Sequence, residues 1–168
     1  MKFQDDLETL IRARYPILYI ISSEEMRVQN VIVEIAKKRQ KKVFEWSYST
    51  GIVPAGTSIQ SLKNRSAATK DPLMALDQVI EQVEPAIYIF KDFHPFLTKN
   101  NFAIVRKLKE IALHLKNSFK TILLVSPVME IPTELEKEIT VLNYPLPVRE
   151  DLSDLLTRSS RTSASSSR

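Results

Sequence analysis

The sequence contains no cysteine, and this absence excludes disulfides, zinc–thiolate sites, iron–sulfur clusters and thiol nucleophiles. Its two glycines, Gly51 and Gly56, are too few for a phosphate-binding P-loop or a dinucleotide-binding glycine fingerprint. No apolar run approaches the ~20 residues that a membrane-spanning helix needs. The amino-terminal residues include Asp5, Asp6 and Glu8, which is unlike a signal or transit peptide. These absences favour a soluble intracellular domain without membrane insertion.

What is present is typical of one globular domain followed by a tail. The chain has 168 residues, of which 43% are apolar and 26% charged. Much of its net charge of +4 comes from Arg158, Arg161 and Arg168, in an acid-free segment over residues 157–168. Residues 1–156 are therefore nearly neutral, which gives nucleic-acid binding only weak support. We expect 1–156 to form the domain and the serine-rich 157–168 to be a disordered tail.

The tail has two interpretations, an Arg/Ser-type binding segment or a segment foreign to the domain, such as the product of a reading-frame accident. It has no apolar periodicity and so cannot bury enough surface to order itself. Its composition favours the second interpretation.

Helical and strand patterns alternate along the chain. Buried strands are predicted where apolar residues run continuously, and amphipathic helices where they recur every three or four positions. The predicted strands cover residues 17–21, 43–47, 86–90, 121–125 and 139–142, and the helices lie over 3–13, after Ser22, after Asp71 and over 101–116. Apolar strands joined by helices indicate an α/β fold with a mostly parallel five-stranded sheet covered on both faces, a three-layer sandwich.

Local signals mark two helix starts and one long connection. Ser22 and Glu25 match the Ser-x-x-Glu capping box, and Asp71-Pro72 matches a helix N-cap with proline at the first helical position. Residues 48–70 are predicted to be a long polar loop, which is either partner-binding or flexible. This loop holds both glycines and Tyr48, Lys63, Arg65 and Lys70.

The exits of the predicted strands are where ligands bind in open parallel sheets. After the first strand, Ser22-Ser23-Glu24-Glu25 places two glutamates at the positive end of a helix dipole, where they stabilise the helix and would repel a phosphate. We interpret this exit as structural capping, which argues against nucleotide hydrolysis by this domain.

The third and fourth strand exits carry the other candidate residues. Lys91 stands where the first of two magnesium-holding acids would be expected in an ATPase, and Asp92 stands at the second. In one interpretation, Asp92 or His94 contacts a partner or ligand in a remodelled site. In the other, which we favour, Lys91 and Asp92 form a structural pair before a histidine turn. Ser126 has the place of a phosphate sensor, although a hydrogen bond that closes the strand end is the simpler interpretation. We predict no catalytic residue and no metal site.

Five cations cluster at the end of the first crossover helix: Lys37, Lys38, Arg39, Lys41 and Lys42. Cations at this position complement the negative end of a helix dipole. A solvated helix cap is therefore the preferred interpretation, with a phosphate-binding patch as the alternative.

Four stretches together resemble a known family. They are residues 13–25 (Ala-Arg-Tyr-Pro-Ile-Leu-Tyr-Ile-Ile-Ser-Ser-Glu-Glu), 44–47 (Phe-Glu-Trp-Ser), 88–97 (Tyr-Ile-Phe-Lys-Asp-Phe-His-Pro-Phe-Leu) and 121–147, with Ser-Pro-Val at 126–128 and Pro-Leu-Pro at 145–147. They resemble the amino-terminal region of a divergent AAA-type ATPase of cyanobacteria and plastids, where it is a hypothetical chloroplast reading frame. The resemblance covers about residues 3–156.

The resemblance implies a degenerate P-loop-NTPase-like domain with strand order 5-1-4-3-2. It also implies that Lys91 and Asp92 occupy the place of the metal-binding acids and Ser126 that of the sensor. Because no Walker motif follows Leu156, we expect a truncated family member that lacks the ATPase module.

The expected function is therefore that of a non-catalytic domain for partner binding or assembly, with protein partners or self-association. No cofactor is expected in this chain, since ATP and magnesium would belong to the missing module. The alternatives are an ATP-hydrolysing regulatory protein when complete, and a weak nucleic-acid-binding module, which the near-neutral domain disfavours. The resemblance implies a cyanobacterial cytoplasm or a plastid stroma as the compartment.

Overall fold

The computed structural model describes residues 2–58, 60 and 68–145. The described residues alternate helices and strands as the apolar pattern predicts. The helices are α1 (Lys2–Arg12), α2 (Glu25–Arg39), α3 (Pro72–Glu81) and α4 (Phe102–Leu115). The strands are β1 (Ile17–Ile21), β2 (Lys42–Ser47), β3 (Gly51–Pro54), β4 (Ala86–Lys91), β5 (Lys120–Ser126) and β6 (Ile139–Asn143). Short 3-10 helices cover Ala68–Lys70, His94–Phe96 and Thr133–Leu135.

The strands form one sheet in the order β3-β2-β4-β5-β1-β6. All neighbouring strands are parallel except β3, which pairs antiparallel with β2. The predicted count of five strands was wrong because β3 was not anticipated. The five predicted strands keep the relative order 5-1-4-3-2, and β3 lies beyond the second of them. The mostly parallel α/β sheet is confirmed.

Each face of the sheet has its own apolar core. Residues at alternate strand positions pack against α3 and α4 on one face. The intervening strand residues pack against α1 and α2 on the other. Strands buried on both faces read as continuous apolar runs, which explains why the sequence located them. The predicted three-layer arrangement is confirmed.

Strand β3 corrects the prediction that residues 48–70 form a long loop. Its first residue, Gly51, has a φ of +70°, and a Cβ there would lie 2.5 Å from Thr69 Oγ1. The same hydroxyl accepts a hydrogen bond from the Ile52 amide at 3.0 Å. Trp46 Nε1 donates to the Thr69 carbonyl at 2.7 Å, so Thr69 ties the β2–β3 hairpin to the segment before α3. Lys63 and Arg65 of the predicted loop lie outside the described residues.

The start of α3 and the ends of α1 and α2 follow identifiable capping patterns. The predicted N-cap at Asp71 is confirmed, since its side chain accepts from the amides of Leu73 at 2.8 Å and Met74 at 3.1 Å. Helices α1 and α2 both end in a Schellman pattern. The residue with positive φ is Arg14 (62°) after α1 and Gln40 (56°) after α2.

A buried lysine caps the end of α3. Lys120, the first residue of β5, is 5% exposed. Its ammonium donates to the carbonyls of Val79 at 2.6 Å, Ile80 at 3.1 Å and Gln82 at 2.5 Å. Burial lowers the pKa of Lys120, whereas the three acceptors match the three hydrogens of its charged form. The lysine therefore satisfies carbonyls that the end of a helix leaves without intrahelical partners.

Candidate functional site

The candidate site residues meet at the carboxyl edge of the sheet, where β1, β4 and β5 end side by side. The Ser22 amide donates to the Ser126 carbonyl at 2.9 Å, and the Asp92 amide donates to the Val125 carbonyl at 3.0 Å. These bonds continue the ladders one residue beyond β1 and β4. The structure therefore brings together the strand exits that contain Ser22, Asp92 and Ser126, as expected for neighbouring strands of a parallel sheet.

The turn between β1 and α2 has three residues and no glycine. The predicted capping box was wrong, because Glu24 and not Ser22 is the N-cap residue of α2, and Glu24 makes no capping hydrogen bond with its side chain. Ser22 Oγ instead accepts from the Glu24 amide at 3.0 Å. Ser22 lies two residues before the N-cap, and its amide still extends the ladder of β1 with β5. The amino end of α2 thus carries Glu24 and Glu25, as expected.

A cleft of about 320 Å³ adjoins this turn, between the ends of β1 and β6. Its lining consists of Ile21, Ser22, Ser23, Glu24, Pro127, Asn143, Tyr144 and Pro145. Within the described part of the chain, no lysine or arginine lines this cleft. A triphosphate needs cations and inward-facing amides, and this lining offers a carboxylate instead. The residues present therefore do not fit a nucleotide triphosphate.

Lys91 is held by an ion pair that differs from the predicted one. Its Nζ lies 3.6 Å from Glu45 Oε2, and the two side chains are 15% and 16% exposed. The same Glu45 oxygen accepts from Gln29 Nε2 at 2.8 Å and from the Gly56 amide at 3.2 Å. The predicted Lys91–Asp92 pair was wrong, because strand alternation sends Lys91 toward the α1/α2 face, where Glu45 lies. Asp92 is exposed, with a φ of +52°.

His94 and Ser126 each have a buried polar atom without a partner. His94 begins the 3-10 helix His94–Phe96, which agrees with the predicted histidine turn. Neither His94 Nδ1 nor Ser126 Oγ has a hydrogen-bond partner among the described residues. A hydrogen bond does close this strand end, but it is made by the Ser126 carbonyl, which accepts from the Ser22 amide, and not by the side chain.

Sequence reasoning missed an aromatic cluster at this edge, on the face covered by α3 and α4. Ring centroids of Trp46 lie 5.3 Å from Phe90 and 5.4 Å from Phe93. Phe96 extends the cluster to Tyr48, with centroids 5.8 Å apart, and Tyr48 is 66% exposed. The spacing of three between the phenylalanines was a usable signal. The cluster ends in an aromatic rim that consists of the exposed Tyr48 and the half-buried Phe96.

The five predicted patch cations are mostly engaged by acids. Arg39 lies 3.1 Å from Glu8, Lys42 2.7 Å from Glu84, and Lys37 3.7 Å from Glu34. Lys38 is exposed. Burial, then Arg39 and Arg14, lowers the pKa of Lys41. These pairings agree with a helix-end role for much of the patch.

Within residues 2–58, 60 and 68–145, no group of three or more side chains that could hold a metal ion occurs. No helix there is both long enough and apolar enough to cross a bilayer. The predicted tail, residues 157–168, lies outside the described residues.

The strand order and the two covered faces define the class, a mostly parallel α/β three-layer domain without a recognisable phosphate cradle in the residues described. Residues 3–144 match the model of the SpoVK-like AAA ATPase, N-terminal domain, and the chain belongs to this family. The resemblance to divergent AAA-type ATPases is thereby confirmed.

Two curated relatives are both described as uncharacterized AAA domain-containing protein ycf46. The one from Trieres chinensis is 37% identical over 161 residues, and the one from Guillardia theta is 34% identical over 161 residues. The alignments cover 94% of this chain but only 31% and 30% of those relatives. The chain thus spans about three-tenths of their length.

Among solved structures, a Drosophila ORC bound to AT-rich DNA and Cdc6 is similar with a TM-score of 0.48 and 14% identity. That alignment covers 90% of this chain and 57% of the other. At this distance the likeness carries no information about function.

Proposed function

We propose that this domain is a non-catalytic, ATPase-like part of an AAA-type ATPase, and that it acts in partner binding or assembly. The observation that carries the proposal is the β1–α2 turn, which is short, lacks glycine and places Glu24 at the amino end of α2. An anion at this end would meet a carboxylate where a phosphate-binding turn presents amides. No cofactor is assigned to this chain.

The neighbouring exits support the same proposal. In an ATPase the β4 exit holds an acid that binds magnesium. Here Lys91 occupies that position, and Glu45 neutralises it in a largely buried pair. Because Lys91 and Glu45 pair with each other, this position offers Mg²⁺ no free carboxylate.

Calorimetric titration of MgATP into the full chain tests the proposal. We expect no magnesium-dependent binding tighter than about 1 mM. Any heat that remains in EDTA is assigned to a different site. Micromolar affinity that requires magnesium and disappears in Ser22→Tyr, which would fill the turn, overturns the proposal.

The aromatic rim supplies a surface for a protein partner, because exposed aromatic side chains are enriched in interfaces. The probe is the part of the Trieres chinensis relative that this chain does not cover. We expect Tyr48→Ser to weaken its binding by about tenfold or more. Leu113→Ser is the matched control, since Leu113 on α4 has the same 66% exposure. An equal loss in both variants contradicts a role for the rim.

A second candidate is an ATP-using regulatory protein of which this chain is one part. It is favoured by the family description and by the much greater length of the relatives. Coding sequence downstream of Leu156 that contains a phosphate-binding loop would support it. In that protein ATP and magnesium would bind the later module, in a plastid stroma or a cyanobacterial cytoplasm. Weak nucleic-acid binding is disfavoured, since acids pair Lys37, Arg39 and Lys42.

A further inference from the structure

The ends of α1 and α2 lie together at the amino edge of the sheet and form a basic pocket. The pocket has a volume of about 280 Å³, near the lower end of the roughly 300–1,000 Å³ typical of small-molecule sites. It is lined by Ile11, Arg12, Arg14, Arg39, Lys41 and Phe119. Four of these six residues are cations, and none is an acid.

The shapes of the two helix ends explain why the cations converge. In each Schellman pattern the chain reverses through a residue with positive φ. The Tyr15 amide donates to the Leu10 carbonyl at 3.2 Å after α1, and the Lys41 amide donates to the Ala36 carbonyl at 3.0 Å after α2. Arg14 itself has the positive φ, a backbone conformation that favours glycine. The chain therefore carries a long cationic side chain at a position where glycine would cost less conformational energy.

The positive charge in the pocket is only partly compensated. Glu8 lies 3.1 Å from the Arg39 guanidinium, but Arg39 Nε is buried and has no partner among the described residues. The Arg14 guanidinium lies 4.5 Å from the centre of the Phe119 ring, a cation–π contact that adds no negative charge. The lowered pKa of Lys41, caused by burial and then by Arg39 and Arg14, reflects the same excess.

Neutralisation of the helix dipoles accounts for only some of these cations. The last turn of α2 contains Lys37, Lys38 and Arg39, which is enough for a surface helix. It does not account for Lys41 and Arg14, which lie beyond the helices and repel each other. Neutralisation of the dipoles also does not supply an acceptor for Arg39 Nε.

We propose that this pocket binds a phosphate group carried by a small molecule. Arg39 would donate from its unpartnered Nε, and Arg14 and Lys41 would complete the charge neutralisation from two sides. Arginines give bidentate hydrogen bonds to phosphate oxygens, and a doubly charged oxyanion relieves the repulsion among the three cations. The site lies at the edge of the sheet opposite the one in which ATPases bind nucleotides, and it does not depend on the proposed function.

Calorimetric titration of pyrophosphate into the full chain, without magnesium, tests the proposal. We expect saturable binding at one site, weakened about tenfold or more in Arg14→Gly and in Lys41→Gln, since each loses one charge-assisted contact. Arg14→Gly is informative because glycine suits the positive φ, so the fold is retained while the cation is lost.

Lys38→Gln is the matched control, because it removes one positive charge from the same helix end outside the pocket lining. We expect its affinity for pyrophosphate to stay within about twofold of the unmodified chain. Equal weakening in Lys38→Gln and Lys41→Gln would show a diffuse attraction and overturn the site. Absence of saturable pyrophosphate binding would also overturn it.

Comparison of ADP with pyrophosphate in EDTA distinguishes the sources of the phosphate. Tighter binding of ADP that is lost in Phe119→Leu indicates a nucleotide, whereas equal affinities indicate the phosphate group alone. In either case, Arg14→Gly must weaken the binding. Nucleotide binding in this pocket should persist in EDTA and be lost in Arg14→Gly. Nucleotide binding at the carboxyl edge would require magnesium and persist in Arg14→Gly. The two proposals can therefore be overturned independently of each other.

Discussion

The two edges of the sheet differ in how their charged side chains are arranged. At the carboxyl edge, Lys91 is neutralised by Glu45, and a close-packed aromatic cluster fills the neighbouring space. At the amino edge, Arg14 and Lys41 share a pocket without an acid in its lining. Open parallel sheets bind ligands at the carboxyl edge, yet among the described residues the pocket lined mostly by cations lies at the other edge. The same fold presents both edges, and the side chains at each edge differ.

The largest expected effect on stability comes from removing an aromatic side chain, and it should differ between the two edges. Trp46→Ala should lower the free energy of unfolding by about 4 kcal/mol, because Trp46 is almost fully buried against Phe90 and Phe93. Phe119→Ala, at the amino edge, should cost less than about 1 kcal/mol, since Phe119 is 55% exposed. Urea denaturation of both variants measures the difference, and comparable losses would contradict it.

Lys120→Met tests the buried cation at the amino edge. It should lower the free energy of unfolding by about 3 kcal/mol, because three carbonyls at the end of α3 lose a charged donor. Lys116→Met is the control and should change stability by less than about 0.5 kcal/mol, because Lys116 is exposed. A neutral or stabilising Lys120→Met would show that the capping bonds only offset the desolvation of the ammonium.

The pKa of Tyr88, which lies near the amino edge, predicts that the protein loses stability at alkaline pH. Burial, then Glu84, raises the pKa of Tyr88 to about 12 from 10.0. The folded state keeps the phenol proton where the unfolded state releases it, so the stabilisation is complete below pH 10 and is lost as pH rises to about 12. Relative to Tyr88→Phe, the loss should approach roughly 2 kcal/mol once the pH exceeds the raised pKa. Parallel stability profiles of the two proteins over this range would refute the shift.

The smallest expected effect concerns the ion pair at the carboxyl edge. A double-mutant cycle with Lys91→Met and Glu45→Gln should give a coupling free energy of about 1 kcal/mol, since both side chains are largely buried. The same cycle for Lys37 and Glu34, both more than half exposed, should give about 0.3 kcal/mol. Equal couplings would remove the distinction between a buried and a solvated pair.

The parts of the fold that the sequence predicted are those coded locally. Continuous apolar runs located five strands, and Asp71-Pro72 located a helix start, because burial on two faces and N-capping need only neighbouring residues. Strand β3 was missed because it has four residues and depends on Thr69, which is 18 residues from Gly51 in the chain.

The site was predicted in position but not in its contacts. The exits containing Ser22, Asp92 and Ser126 do meet, because parallel strands place their carboxyl ends at one edge. The partner of Lys91 could not be predicted, since Glu45 reaches it only through the register of β2 with β4. Arg39 and Lys41 of the basic pocket belong to the predicted patch, whereas Arg14 was missed because only the packing of α1 against α2 brings it to them.

The antiparallel hairpin has a consequence for how copies of the domain could associate. Strand β3 is the outermost strand on its side of the described sheet, has four residues and ends at Pro54, which lacks an amide hydrogen. Short strands and proline blunt the templating of further strands and so guard against aggregation. Growth of the sheet by strand addition is therefore disfavoured beside β3.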